Sequence, residues 1–569
     1  MQIDIIKLMT RVRAAPLLAA LAATALAACS SPGAPEAGKS PATNPASASP
    51  TTTSSGSLGG LASSGLPSRS AQIEKLKGAL AKASTSGSIP GGTDLEDYEI
   101  GRLWSQGIDG AGTTIAVIEG WNDPSIGQYV AHFDQVNGLP NPQITTIYPV
   151  GMPTTCPPGM VRLGTYGSCS SWAAELQLDV TAVHLMAPYA RIVIAVAPAD
   201  TEITDDAASQ VAPPEMMKAV EYIASHHVAN VISISDGTGE SSYSHGLPEI
   251  LAQDPGELAA AAAGIPLLVG TGDCGAVQNL PVANGQCEDT TTFADTAVWD
   301  DSPWVTAVGG SIPDLTSGGK RVGPDQLWDV DGRFGEGAGI SKVFRRPAYQ
   351  DGVAAITRSA MRTVPDLVMD ARVGTSESTP LLAGVLALAT QLNGANVGPI
   401  NPALYESLGP KGARAGIVDV TAGSNTARLP DGKIVPGFSA APGFDIASGW
   451  GTINAGLFVP SLVAATRADG QESAARQQAA TQLSGLELAV TISVAHIPSG
   501  SGAQLTAGGF LPGHPVRLSI DGRFIAVLTA SSGGTVRYRI SPSALKLRPG
   551  RHVVTLTSML ITETTGFSS

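Results

Sequence analysis

Four side chains of this 569-residue sequence have the types and spacings that nucleophilic and acid–base chemistry need. In ELQLD (175–179), Glu175 and Asp179 are four apart, so on a helix they share one face. On an open helix two like charges repel by tenths of a kcal/mol. In a partly buried cleft they share a proton and one pKa rises, which makes a general base for acidic pH. In LLVGTGDCGA (267–276), Asp273 ends an apolar run between glycines. Kept protonated, that carboxyl would donate to a developing oxyanion, an interaction typically worth about 3–4 kcal/mol. In GTSESTPLLAGVLAL (374–388), Ser376 stands where a turn enters an apolar helix, with Pro380 four residues on. Ser376 is either the cap of that helix or a nucleophile. The plain alternatives for the acids are a solvated helix face for Glu175 and Asp179, and a turn beside Cys274 for Asp273.

A Ser-His-Asp triad is a poor fit. The chain has eight His, none at a suitable helix start. His245, in SHGLP, reads as a loop residue. The base for Ser376 is therefore sought among the carboxyls.

From about residue 95, short apolar β-rich runs alternate with Ala-rich helical stretches. TTIAVIEG, RIVIAVAP, ANVISIS, IPLLVGTGD and WVTAVGGS are the strands; SSWAAELQLDVTAVHLMA and PPEMMKAVEYIASHH are helices. This alternation predicts an α/β fold, a parallel sheet flanked by helices. Sites in such folds form at the carboxyl ends of strands, where Glu119, Asp236 and Asp273 lie. Residues 466–482 read as a polar, Ala-rich connector. Residues 483–569 change to alternating strands separated by Gly, Pro and Ser, which predicts a small C-terminal all-β, immunoglobulin-like sandwich.

Composition sets the setting. The chain is 43% hydrophobic and carries a net charge of −14, so it can bury a large core and is not expected to bind nucleic acid. Residues 1–29 have a basic front (Lys7, Arg11, Arg13), a short apolar run and LAAC ending at Cys29. This resembles a bacterial lipoprotein signal, with lipid on Cys29 as the expected membrane contact and an extracytoplasmic location. Residues 30–90 are a Ser/Ala/Pro-rich tether plus one short helix over 71–84. The four other cysteines form two local pairs, Cys156 with Cys169 and Cys274 with Cys287. Disulfides suit export and would each contribute roughly 3 kcal/mol, though spacing alone leaves cross-pairing open.

The motifs ELQLD, GTGDCG, SPWVTAVGGS, VPDLVMDA and GTSESTPLLAG, in that order, resemble the sedolisin family of serine-carboxyl peptidases over roughly residues 100–460. The resemblance implies a subtilisin-like fold for the unit spanning 91–465 and acid endopeptidase activity on protein or peptide substrates, as a monomer. It assigns Ser376 as nucleophile, Glu175 as base, Asp179 as the group that orients Glu175, and Asp273 as oxyanion donor. IVDVTAGSN (417–425) and APGFDIASGWG (441–451) resemble the family's calcium loop. Asp419 and Asp445 would offer carboxylates, and Val420, Ala441 and Gly443 carbonyls, to a Ca2+. Ala441 stands where the family usually has Gly.

Two features depart from the family. Residues 30–90 are too few and too low in complexity for its large folded prodomain. Asp236, in VISISDGTGE, stands where the family tends to have Trp, while the acid at Glu119 is kept. The alternative function is accordingly a catalytically inactive cell-surface binding lipoprotein on the same fold.

Overall fold

The computed structural model describes residues 67–86, 92–151, 156, 168–198, 214–243, 247–279, 287, 290–316, 319–469, 475–480, 482, 491–496, 503–508, 515–531, 535–558 and 561–568. The leader, Cys29 and most of the tether lie outside them.

A mostly parallel sheet organises the chain. Its strands are β1 (Thr114–Glu119), β2 (Gln143–Ile147), β3 (Arg191–Val196), β4 (Val231–Ile234), β5 (Leu267–Gly270), β6 (Thr306–Ile312), β7 (Gln326–Leu327) and β8 (Leu367–Asp370). The spatial order is β8-β6-β5-β4-β1-β3-β2, with β7 antiparallel on β6. β1, β4, β5 and β8 bury every residue. Such continuous apolar runs require cover on both faces.

That cover comes from two helical layers. On one face lie α5 (Cys169–Met186), α8 (Thr375–Asn393) and α9 (Ala455–Asp469), joined by the N-terminal helices α1 (Arg69–Ser86), α2 (Gly92–Asp97) and α3 (Ile100–Ser105). On the other lie α6 (Glu215–Ser225) and α7 (Asp254–Ala262). A further helix, α4 (Ile126–Asn137), packs beside α5. The sheet and its helices match the α/β expectation, and α1 runs two residues further at each end than the sequence suggested. Among the described residues no helix is long and apolar enough to cross a membrane.

Two disulfides pair locally, Cys156 with Cys169 at the start of α5 and Cys274 with Cys287 next to Asp273. The connector is partly docked. α9 extends to Asp469, and in the following short helix Ala479 is fully buried against Leu258 and Ala261 of α7. Beyond it, antiparallel sheets β9-β10-β13 (Thr491–His496, Ala503–Gly508, Thr535–Ile540) and β12-β11-β14-β15 (Arg523–Thr529, Pro515–Ile520, Arg551–Ser558, Ile561–Ser568) form the C-terminal unit. Alternation explains its core: Leu505, Leu518, Val536 and Val554 point inward while their neighbours do not.

The strand that leads to Ser376 is pinned from below. Arg362 and Asp366 are both fully buried and paired at 2.8 Å. Arg362 also donates to the carbonyls of Asp300 and Val305. Removing one partner strands a buried charge, so Arg362→Ala is expected to cost about 3–5 kcal/mol of stability. A denaturant midpoint close to wild type would show that the pair does not pin β8.

Candidate active site

Each site residue is delivered by the carboxyl end of a strand or by a helix packed over it. α8 crosses the sheet and packs against α5. α5 buries Leu176, Asp179, Val180 and Val183, which turns Glu175 and Asp179 toward the N-terminal turn of α8. Glu119 ends β1, Ser235 and Asp236 follow β4, and Asp273 follows β5.

Ser376 does not cap its helix. Gly374 holds the N-cap position with φ of 113°, and Ser376 lies in the first turn beyond it. Its side chain acts on the Glu175 carboxyl, favouring that group's charged form. Burial pushes the Glu175 carboxyl up to about 7, Ser376 pulls it back, and the Asp273 charge raises it. Glu175 is half-buried by exposure, yet its Oε1 is closed off from solvent without a hydrogen-bond partner among the described residues. The closed oxygen carries the desolvation cost of ionising the group.

Three more acids crowd this pair. Asp179, fully buried, is raised by its burial and by the Glu175 charge, against a hydrogen bond from Ser235. Glu119 is raised by burial and then by the charges of Asp179, Glu175 and Asp236. Asp236 is raised by burial and by Glu175, against a backbone hydrogen bond. Two of the three acids that the sequence placed at strand ends, Glu119 and Asp236, thus join the helix pair in one cluster.

Asp273 faces the other side of the Ser376 turn. Its Oδ1 accepts from Thr375 N (2.8 Å) and Thr375 Oγ1 (2.9 Å). A proton on this carboxyl therefore belongs on Oδ2. A Cβ at Gly374 would lie 2.8 Å from that oxygen, so glycine is required there for space as well as for φ. The carbonyl of Asp273 accepts from Gly335 N (2.8 Å), and that of Gly272 from Gly337 N (3.1 Å), which clamps the loop from below.

A third group of contacts holds the turn between β8 and Ser376. Arg372 pairs with Asp94 of α2 (2.8 Å) and with Asp370. Asp370 Oδ1 accepts from Arg372 N (3.1 Å), and Glu377 Oε2 from Val373 N (3.2 Å).

Of the five residues expected to hold calcium, four are joined in two pairs, and Val420 follows Asp419 in the chain. Asp419 Oδ2 accepts from Gly443 N, and Asp445 Oδ2 from Ala441 N, both at 2.8 Å. Burial raises Asp445, opposed by backbone hydrogen bonds from Ala441 and Ser448. Asp419 Oδ1 is buried with no hydrogen-bond partner among the described residues, as a carboxylate oxygen reserved for a cation would be. The residues therefore fit a hard cation. Among the described residues no three His, Cys, Asp or Glu side chains converge on a metal, so such a site would lean on backbone carbonyls.

No protein-family model matches the chain. It is 29% identical to kumamolisin of Bacillus sp. (strain MN-32) over 382 residues, which is 61% of this chain and 59% of kumamolisin. It is 31% identical over 240 residues to tripeptidyl-peptidase 1 of Homo sapiens, covering 36% of this chain and 38% of that protein. The solved structure of Pseudomonas sedolisin, a serine-carboxyl proteinase complexed with two molecules of pseudo-iodotyrostatin, superposes with a TM-score of 0.52 at 23% identity, covering 66% of this chain and 97% of that one. The chain is related to the sedolisin family of serine-carboxyl peptidases. It spans about three fifths of the length of kumamolisin and two fifths of tripeptidyl-peptidase 1.

Within this sedolisin-like frame, sequence reasoning missed Ser235, Thr375 and Arg372. Ser235 and Thr375 sit beside residues that were singled out, but nothing local marks a serine or threonine as a partner. Arg372 meets Asp94 across 278 residues, and no spacing rule reaches that far.

Two outcomes follow from this geometry. Gly374→Ala would place a methyl against Asp273 Oδ2 in a backbone region alanine resists, so peptidase kcat should fall at least roughly 100-fold. Wild-type turnover in a folded Gly374→Ala protein would refute the tight turn. The second outcome concerns stability. A carboxyl raised by the fold binds more protons folded than unfolded, so its contribution is greatest near pH 4 and declines as pH rises. Glu175 and Asp97 place the decline up to about 7, and Glu377 up to about 8. Calorimetry should therefore show the Tm of the sheet-containing unit dropping between about pH 4 and pH 8; a rise over that range would contradict the buried, protonated cluster.

Proposed function

We propose that the chain is a serine-carboxyl endopeptidase working at acidic pH. The observation that supports this most is the place of Ser376 in the first turn of α8, with the Glu175 carboxyl it acts on to one side and Asp273, bound to Thr375, on the other. Ser376 Oγ attacks the scissile carbonyl carbon, and ionised Glu175 takes its proton. The carbonyl oxygen becomes an oxyanion, and a proton on Asp273 Oδ2 donates to it. Glu175 then returns its proton to the leaving amine. A water, deprotonated by Glu175, attacks the acyl carbon; the ester bond to Ser376 Oγ breaks, Glu175 returns the proton to that oxygen, and the second product leaves as the acid. Asp179 orients Glu175 and shares its charge, so the two carboxyls titrate as a unit.

pH enters through two opposed needs, and with Glu175 raised to about 7 only its minor ionised fraction acts in acid. Glu175 must be ionised while Asp273 holds a proton, which gives a bell-shaped rate profile. An amide at Asp273 donates whatever the pH. Asp273→Asn should therefore flatten the alkaline limb, at a lower kcat.

Asp419, Asp445 and the carbonyls of Val420, Ala441 and Gly443 would hold Ca2+, which supplies charge neutralisation rather than chemistry. The loop is tied to the strand entering the Ser376 turn: Trp450 N donates to Asp366 O, and Val368 N to Gly451 O. Calcium should raise Tm in a concentration-dependent way, and Asp419→Asn should abolish that rise. The leader and Cys29, outside the described residues, would deliver the protein beyond the cytoplasm on a lipid anchor.

The deciding experiment is hydrolysis of N-terminally blocked and free peptides between about pH 3 and pH 7, with Ser376→Ala and Glu175→Gln beside wild type. Cleavage of blocked peptides that falls at least roughly 1000-fold in both variants supports the endopeptidase. Cleavage only of peptides with a free amine would make it an exopeptidase. Folded protein with no cleavage at any pH would leave a binding protein on a peptidase fold.

A further inference from the structure

Pro380 creates a vacancy at the nucleophile. In an α-helix the carbonyl of one residue accepts from the N–H four residues on. Residue 380 has no N–H, so the Ser376 carbonyl loses its intrahelical donor. The hydroxyl of Ser235 stands 3.4 Å from that carbonyl oxygen. The same hydroxyl is 3.0 and 3.1 Å from Asp179 Oδ1 and Oδ2.

A hydroxyl has one proton to give. With Asp179 ionised, the carboxylate is the stronger acceptor and takes it. With Asp179 protonated, the acid donates to Ser235 Oγ, and the Ser235 proton turns to the Ser376 carbonyl. The first state leaves the main chain of the nucleophile without this tie; the second anchors it to the end of β4. We propose that Ser235 is a positioning residue that transmits the protonation state of Asp179 to the backbone of Ser376. This rests on the reading of Ser376, Glu175 and Asp179 as the reacting set. Ser235 touches no reacting atom and works through its two neighbours.

The groups that set the balance surround Asp179. Glu175 lies on its own helix, Glu119 ends β1, and Asp236 follows Ser235; Asp273 acts from beyond Glu175. All are acids, so each favours the protonated form of Asp179 that releases the Ser235 proton to Ser376.

The test compares Ser235→Ala and Ser235→Thr with wild type in the full chain, using a blocked peptide. In Ser235→Ala the Asp179 carboxylate loses a donor, so the acidic limb of kcat should move to higher pH by about half a unit to one unit. kcat at the optimum should fall roughly 10-fold or more, with KM within about twofold. Ser235→Thr keeps the hydroxyl and should restore both. Pro380→Ala supplies an N–H to the Ser376 carbonyl, so in that background the Ser235→Ala loss in kcat should shrink while the limb shift persists. If Ser235→Ala does not fold, Ser235→Cys, with a weak thiol donor, should shift the limb the same way by less.

An unshifted limb in Ser235→Ala, or in Ser235→Cys when that variant is needed, overturns the proposal. So does a loss that falls on KM, or an equal loss with Ala at 380. Ser376→Ala and Glu175→Gln run in parallel. If they retain activity, the reacting set is wrong; if they are dead and Ser235→Ala is wild type, only the Ser235 proposal fails.

Discussion

Four carboxyl groups packed together without a cation are the constraint around which this site is built. No ion pair reaches Glu119, Glu175, Asp179 or Asp236 among the described residues. Taking a lone carboxylate out of water costs several kcal/mol, and a second beside it adds repulsion. The cluster is tolerable only if protons stay bound to most of it. That requirement ties the charge of the site to pH before any catalytic step is considered. It also explains why the ordinary base, histidine, has no place here: a neutral imidazole among these acids would be protonated and lose its base function.

The same constraint fixes the surrounding architecture. A proton-sharing cluster needs its members held within a few ångströms, so the carriers must be rigid. Parallel strands buried on both faces carry two of the four, Glu119 and Asp236, and α5, packed along α8, carries Glu175 and Asp179. The turn bearing Ser376 cannot be shaped by packing alone, because it must approach Asp273 closely. Gly374, with its φ of 113°, gives the space, and the Arg372–Asp94–Asp370 contacts hold the shape.

Much of this was legible in the residues. The i,i+4 spacing of Glu175 and Asp179, the glycines around Asp273 and the small turn before Ser376 are local patterns, and local patterns survive translation from chain to fold. The parallel sheet was legible because strands buried on both faces must be apolar throughout, and the sandwich because its strands alternate. Ser235 was not legible. A serine is ordinary anywhere, and its meaning comes only from Asp179 and from the carbonyl that Pro380 leaves open. Pro380 itself was visible as an oddity inside a helix, but its consequence needs a partner 141 residues from Ser376.

The chain before β1 is built into the same unit, at both ends of α8. At the nucleophile end, Asp94 of α2 holds Arg372. At the far end, Gln391 Oε1 accepts from Asp109 N (2.7 Å) and Gly110 N (2.8 Å), and Arg69 of α1 pairs with Asp109. The two attachments differ in what they reach. Each joins a partly exposed arginine to a buried aspartate, but Asp94 also sits among Asp370 and Glu377, at the turn that bears Ser376. Losing α1 would therefore loosen the back of the helix, while losing α2 would leave Arg372 with fewer acids around it and free the turn on which Ser376 depends. The short helix α2, and not the longer α1, is the part of the N-terminal segment that the candidate site requires.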